Sequence, residues 1–231
     1  MRKVLLALLI LLIGGVIAAD RIGVRVAQNE IGKQVAAQYN LQEQPEVKIH
    51  GFPFLTQAVG GEYDQIDVKL GRWTDRGVTV GDVTIEMRGV NAPLADVAGG
   101  NANNVTARTA TASAVIPYSV IKERAPKEVK GIAAKGDNLQ LDLSGTIAGF
   151  PVDGSAVVSV KPSVRGIVIT PVSGGLAGLP QVPAVGQLVS WTVPVANLPV
   201  GSRISEIQPT PDGLRVSATA NDVRLNDLPN A

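Results

Sequence analysis

The sequence predicts an α+β, β-rich protein: a long N-terminal amphipathic helix followed by roughly eight to ten antiparallel strands. Three observations carry this. Apolar residues recur every three or four positions only before Pro45; beyond it the dominant period is two. Each two-residue run is bounded by Gly, Asp, Asn or Pro, the punctuation of hairpins. Strands and helices do not alternate, which removes a doubly wound sheet.

The first element is an export signal. Arg2 and Lys3 precede sixteen residues, Val4 to Ala19, without a charge or strongly polar group, and Asp20 ends the run. A basic start, an apolar middle and the small residues of Val16-Ile17-Ala18-Ala19 form the layout of a secretory signal. As a helix the run spans about 24 Å, short of a ~30 Å hydrocarbon core, unless the helix continues past Asp20. Residues 1–19 therefore read as a signal peptide or an N-terminal membrane anchor, and the residues leave both open. Either way residues 20–231 are expected to be extracytoplasmic.

Composition removes several function classes. There is no Cys, which excludes disulfides, a thiolate nucleophile and Cys-ligated metals. The single histidine, His50, cannot build a His-rich metal site and leaves a catalytic triad one candidate base. Lys+Arg is 21 against Asp+Glu 20, a balance that argues against a nucleic-acid partner. No cofactor is implied, and GxSxG, Walker A, GxGxxG and HExxH are all missing. Asp64 and Asp67, three apart in a strand, point to opposite faces and make a poor acid/base pair. Nothing in this inventory says enzyme.

From Asp20 to about Gln42, Val24, Ala27, Ile31, Val35 and Tyr39 mark one helical face. Gly23 and Gly32 weaken that helix by about 1 kcal/mol each relative to Ala, so it depends on packing, and Pro45 stops it. Strands then follow at Ile66/Val68/Leu70, Val83/Ile85/Met87, Leu139/Leu141/Leu143, Val158/Val160, Ile167/Ile169 and Leu214/Val216/Ala218. Turns are expected at Asp75-Arg76-Gly77, Gly99-Gly100-Asn101, Lys135-Gly136-Asp137-Asn138 and Pro211-Asp212-Gly213. A second helix is expected around Ser119–Val129, ended or kinked by Pro126. No charge-rich linker divides residues 20–231, which read as a single domain.

Three segments stand out as candidate sites. Residues 166–202 carry no Asp, Glu, Lys or Arg, with five prolines and six glycines. They are either core strands joined by uncharged turns, or an apolar flap that lines a lipid cavity or touches a membrane. In the second case Leu176, Leu179, Val185, Leu188 and Trp191 would contact lipid, Trp191 suiting the headgroup level. Around Gly51-Phe52-Pro53-Phe54-Leu55, the residues Phe52, Phe54 and Leu55 form an apolar knuckle, either a packed corner closing one end of the core or an entrance or membrane-contacting tip. The third segment is basic: Lys122, Arg124, Lys127 and Lys130 form either a solvated face or a patch for anionic headgroups.

The run Gly51-Phe52-Pro53-Phe54-Leu55-Thr56-Gln57, then Gly61-Glu62-Tyr63-Asp64 and Ile66-Asp67-Val68, resembles the LmeA-like phospholipid-binding proteins of actinobacterial cell envelopes. Met87-Arg88-Gly89-Val90-Asn91-Ala92-Pro93-Leu94 and Pro211-Asp212-Gly213-Leu214-Arg215-Val216 agree in order, so the likeness covers essentially the whole exported chain. The resemblance implies a non-enzymatic, extracytoplasmic phospholipid-binding protein of envelope lipid or lipoglycan metabolism, with anionic phospholipid and the membrane surface as partners. It also implies a long helix against a strongly curved antiparallel sheet, similar to tubular, BPI-like lipid-binding folds. A cavity lined by aliphatic side chains supports this physically: each buried methylene contributes about 0.8 kcal/mol, so an acyl chain binds without a polar motif. The competing expectation is an anchored, β-rich structural or protein-interaction module with no lipid cavity.

Overall fold

The computed structural model describes residues 2–75, 78–93, 96, 104–147, 150–164, 166–177, 190–195 and 202–225. The protein is α+β, with a long N-terminal helix and two antiparallel sheets. The helix, α1 (Arg2–Gln38), runs without a break from the apolar segment into the amphipathic one. Asp20 ends the hydrophobic run but not the helix. An 18-residue window of α1 has a mean hydropathy of 2.3, and the helix is long enough to cross a membrane. A cleaved signal and a retained anchor meet that criterion equally.

Strands β1 (Glu46–His50), β2 (Glu62–Asp75), β3 (Val78–Asn91), β4 (Thr106–Ile116), β10 (Arg203–Thr210) and β11 (Gly213–Arg224) form one sheet, in the order β1-β2-β3-β4-β11-β10. The other sheet holds β5 (Val129–Lys135), β6 (Asn138–Ile147), β7 (Phe150–Ser163), β8 (Gly166–Ala177) and β9 (Trp191–Pro194) in sequential order. Eleven strands among the described residues slightly exceed the expected eight to ten, because β1 and β9 are only 5 and 4 residues long and give little periodicity to read. Neither sheet is closed or strongly curled, which departs from the strong curvature implied by the family resemblance.

The alternating runs become strands whose apolar residues face inward. Val47 and Ile49 of β1 pair with Val68 and Ile66 of β2. Leu139, Leu141 and Leu143 of β6 pair with Val158, Ala156 and Gly154 of β7. The turns at Lys135–Asn138 and Pro211–Gly213 join β5 to β6 and β10 to β11 as expected. The turn expected at Gly99–Asn101 lies outside the described residues. The second helix is shorter than its sequence suggests. Now α3, it spans Tyr118–Glu123, and strand β5 begins at Val129. Pro117 opens it, and with Pro126 so near the chain turns after Arg124 rather than continuing helical. A short helix α2 (Phe54–Gly60) begins within the knuckle, so that Phe54 and Leu55 lie on its first turn.

The chain forms two compact units. One comprises residues 1–71, 84–111 and 220–231, the other residues 72–83 and 112–219. The chain passes between them within β2, β3, β4 and β11, so no linker marks the boundary. The first unit packs Val24, Val47, Ile49, Phe54, Tyr63, Ile66, Val68 and Val90 into one core. The core of the second contains Ile121, Leu139, Leu141, Leu143, Val158, Ile167, Ile169 and Leu214.

Gly166 holds a position that only glycine fills. Its φ is +129°, and a Cβ there would lie 2.2 Å from the Val193 carbonyl oxygen across the β8–β9 pairing. Gly166→Ala is expected to lower stability by about 2–4 kcal/mol, as strain and a displaced edge strand combine. A urea unfolding midpoint unchanged from the wild type would contradict this.

Candidate functional site

In the first unit, α1 lies along β1 and against α2. Two glycines that weaken the helix in isolation mark where other groups come close. A Cβ on Gly32 would sit 2.9 Å from the Pro45 carbonyl oxygen, and one on Gly23 would sit 3.5 Å from Phe54 and Leu55 side-chain atoms. Polar side chains fix the helix laterally: the Ile49 amide donates to Gln28 Oε1 at 3.0 Å, and Gln44 Nε2 donates to the Asn29 carbonyl at 3.1 Å.

Alongside and beyond these anchor points, helix and sheet do not close completely. A cleft of about 220 Å³ remains, lined by Ala27, Ile31, Gln34, Val35 and Gln38 of α1. Facing them are Ile49, Phe54, Tyr63, Ile66, Val68, Met87 and Val90, with Ala92, Asp96, Val105 and Leu225 completing the wall. The surface is almost wholly aliphatic and aromatic. Polar groups come from Gln34, Gln38, Asp96 and the Tyr63 hydroxyl, whose pKa burial pushes up, and no described lining residue is a cation. Such a cleft suits hydrocarbon, and Asp96 and Tyr63 are the titratable groups of its described lining. At ~30 Å³ per water-sized group, it has room for about seven methylenes, less than the ~300–1,000 Å³ of most ligand sites.

One end of the cleft is built by the knuckle. Phe54 is 6% exposed and lies against Tyr63, ring centroids 6.4 Å apart. The carboxylate of Asp20, itself 1% exposed, reaches from α1 to accept the Leu55 amide at 2.8 Å and also pairs with Arg21. It thus caps α2, whose own preceding residue, Pro53, has no side chain that can do so. Burial works against ionisation of Asp20, but bonds from the Leu55 amide, Arg21 and the Phe54 amide outweigh it and hold the carboxyl below its ordinary 3.8.

The folded value therefore lies below the unfolded one. The contribution to docking α1 on α2 is complete above the unfolded value and is lost as pH falls through the folded one. Hydrogen-exchange protection of the Leu55 amide is expected to fall below about pH 3.8 while that of Leu141 persists, and to be low without that acid-dependent loss in Asp20→Ala, which has no side-chain acceptor. Wild-type Leu55 protection that stays level on acidification would show that Asp20 does not hold this junction.

The residues singled out from sequence separate in the structure. Phe54 lines the cleft, whereas Phe52 and Leu55 are exposed beside it at 63% and 40%. Leu176 lies in β8, its backbone paired with Ala156, and Trp191 in β9, paired with Ile169 and packed on the core of the second unit. Among the described residues Trp191 Nε1 is a buried donor without a hydrogen-bond partner. Leu179, Val185 and Leu188 lie outside the described residues. Lys122, Arg124, Lys127 and Lys130 are all exposed and all in the second unit, none of them lining the cleft. Lys130 donates to the Lys127 carbonyl at 2.8 Å and borders an open polar hollow with Asp142, Ser144, Asp153 and Ser155.

His50 bonds Asp67 at 2.7 Å on the exposed side of β1 and β2, and no described group of three His, Asp or Glu side chains is arranged to hold a metal. Sequence reading missed Asp20, taken only as the end of an apolar run, and most of the cleft wall. The available signal was the helical face Ala27, Ile31, Gln34, Val35 and Gln38, whose two glutamines look out of place on a buried stripe.

No curated protein and no solved structure matches the chain. A family model does match, over residues 18–219, which takes in the knuckle and the cleft-lining stretches of α1, β1, β2 and β3. A largely apolar cleft is consistent with that match, and the chain belongs to the LmeA-like phospholipid-binding family.

Proposed function

We propose that this protein is a non-enzymatic carrier or holder of phospholipid on the outer side of a cytoplasmic membrane, with an acyl chain lodged between α1 and the β1–β3 face. The apolar cleft lined by Ile31, Val35, Ile66 and Val68 carries this reading. Its walls are aliphatic, and the family binds phospholipid. Export is supported by Arg2, Lys3 and the apolar start of α1. The headgroup would stay outside, since no described cation lines the cleft, and a preference for anionic lipid would draw on exposed cations elsewhere.

The cleft holds a segment of acyl chain rather than a whole lipid unless α1 moves outward from the sheet. That motion would break the Gln28 and Gln44 bonds, with the Asp20–Leu55 tie as the point about which α1 would hinge. Native mass spectrometry of the full chain, purified from cells in a mild detergent and followed by solvent extraction, tests the reading. A retained phospholipid supports it. A lipid-free mass that does not change after incubation with phospholipid vesicles would instead favour a structural or interaction module with a closed core.

A further inference from the structure

The exposed apolar residues beside the cleft are not scattered. Phe52 is 63% exposed, Leu55 40% and Val59 85%, all on α2 or the loop leading into it. On the neighbouring helix Ile22 and Val26 are 62% and 64% exposed. Soluble surfaces rarely gather this much apolar area in one place without a partner.

What this patch adjoins identifies the partner. Asp20 and Arg21, which tie α1 to α2 and the knuckle, follow directly on the apolar run Val4–Ala19. Arg21 stacks over the Phe52 ring, its Cζ 5.1 Å from the centroid, and Arg25 lies one turn further on. The carboxylate next to Arg21 is turned inward: Asp20 is 1% exposed and spent on the Leu55 amide and Arg21, while Asp64, beside Gly51, stays exposed at the margin of the patch. Exposed apolar side chains with arginines at their border are the composition of a surface that sits at the headgroup level of a bilayer. Phe54, two residues after Phe52 with Pro53 between them, is 6% exposed and lines the cleft.

We infer that Phe52, Leu55 and Val59 form a membrane-docking tip that seats the Phe54 end of the cleft on the bilayer surface, where lipid enters. This rests on the lipid-binding reading only for the entry step; the docking itself does not require a filled cleft. It holds for a retained or a removed N-terminal segment, because the patch lies beyond residue 19.

The chain has no cysteine, so single-cysteine probes can be placed cleanly. Phe52→Cys, Val59→Cys and, as a control on β1, Lys48→Cys are each spin-labelled in the full-length chain and reconstituted into vesicles of phosphatidylcholine and phosphatidylglycerol. Labels at 52 and 59 are expected to be relaxed by oxygen and shielded from a water-soluble nickel complex, with label 48 the reverse. If labels 52 and 59 are as accessible to nickel as label 48, the tip does not dock and the inference is overturned. In the same vesicles, Val59→Asp is expected to slow lipid uptake about tenfold while leaving the amount finally bound unchanged. Loss of bound lipid with docking intact would count against the cleft, not the tip. An unaltered uptake rate in Val59→Asp would overturn the entry role.

Discussion

Ile31→Glu is expected to abolish lipid retention without unfolding the protein. Ile31 is only partly buried and sits on the α1 wall of the cleft, between Ala27 and Val35. In the lipid-free protein a glutamate there can hydrate through the open side, so the fold loses little. With an acyl chain in place, the carboxylate is desolvated against hydrocarbon, or the chain is displaced. Losing contact with about four to six methylenes removes ~3–5 kcal/mol, a rise in Kd of about two to three and a half decades. The measurement is extractable phospholipid per mole of purified protein, alongside far-UV circular dichroism. Full retention in a folded Ile31→Glu variant would place the lipid elsewhere and end the cleft model. Ile31→Val, which shortens the wall by a single methylene, should retain lipid nearly as the wild type does.

The fold was largely legible because its periods are clean. Ile66/Val68, Leu139/Leu141/Leu143 and Leu214/Val216 alternate strictly, and each set is buried in a strand of the expected span. The two-unit division was not legible: the chain crosses between the units inside strands, which leaves no composition signal. Helix α1 illustrates a different limit. A charged residue after sixteen apolar ones reads as a boundary, yet Asp20 is buried because the Leu55 amide needs an acceptor. That acceptor lies 35 positions away in sequence, and no local pattern can specify it.

The candidate cleft was legible in its apolar character but not in its residues. A cavity that binds hydrocarbon demands only apolar side chains, and these are chemically indistinguishable from core until helix and sheet are placed. Phe54 was recoverable because an aromatic is rare in this chain, whereas Val35, Ile66 and Val68 were read correctly as a face without any sign that the face stays partly open. The basic cluster Lys122–Lys130 lies outside the cleft lining. Charge is conspicuous in a sequence, but these side chains are solvated and none lines the cleft. His50 is similar: as the lone histidine it invites a catalytic role, and the structure gives it a surface bond to Asp67.

The uncharged segment 166–202 is where the two sequence readings diverge most, and its described part favours core. Ile167 and Ile169 are 0% exposed in β8, and β9 adds Val193 at 9% together with the packed face of Trp191. Ile167→Ala deletes buried aliphatic carbons from a site walled by β7 and β9, where little relaxation is available. It is therefore expected to cost about 2–5 kcal/mol, and Trp191→Ala somewhat less because its ring is only partly covered. Phospholipid bound per folded molecule should be unchanged in both, since the cleft is lined entirely by residues of the other unit. Chemical denaturation and lipid extraction on the same samples separate the alternatives. A stability loss with full lipid content makes the segment structural. Unchanged stability with lost lipid makes it the flap that its missing charges first suggest, and moves the binding surface out of the α1 cleft.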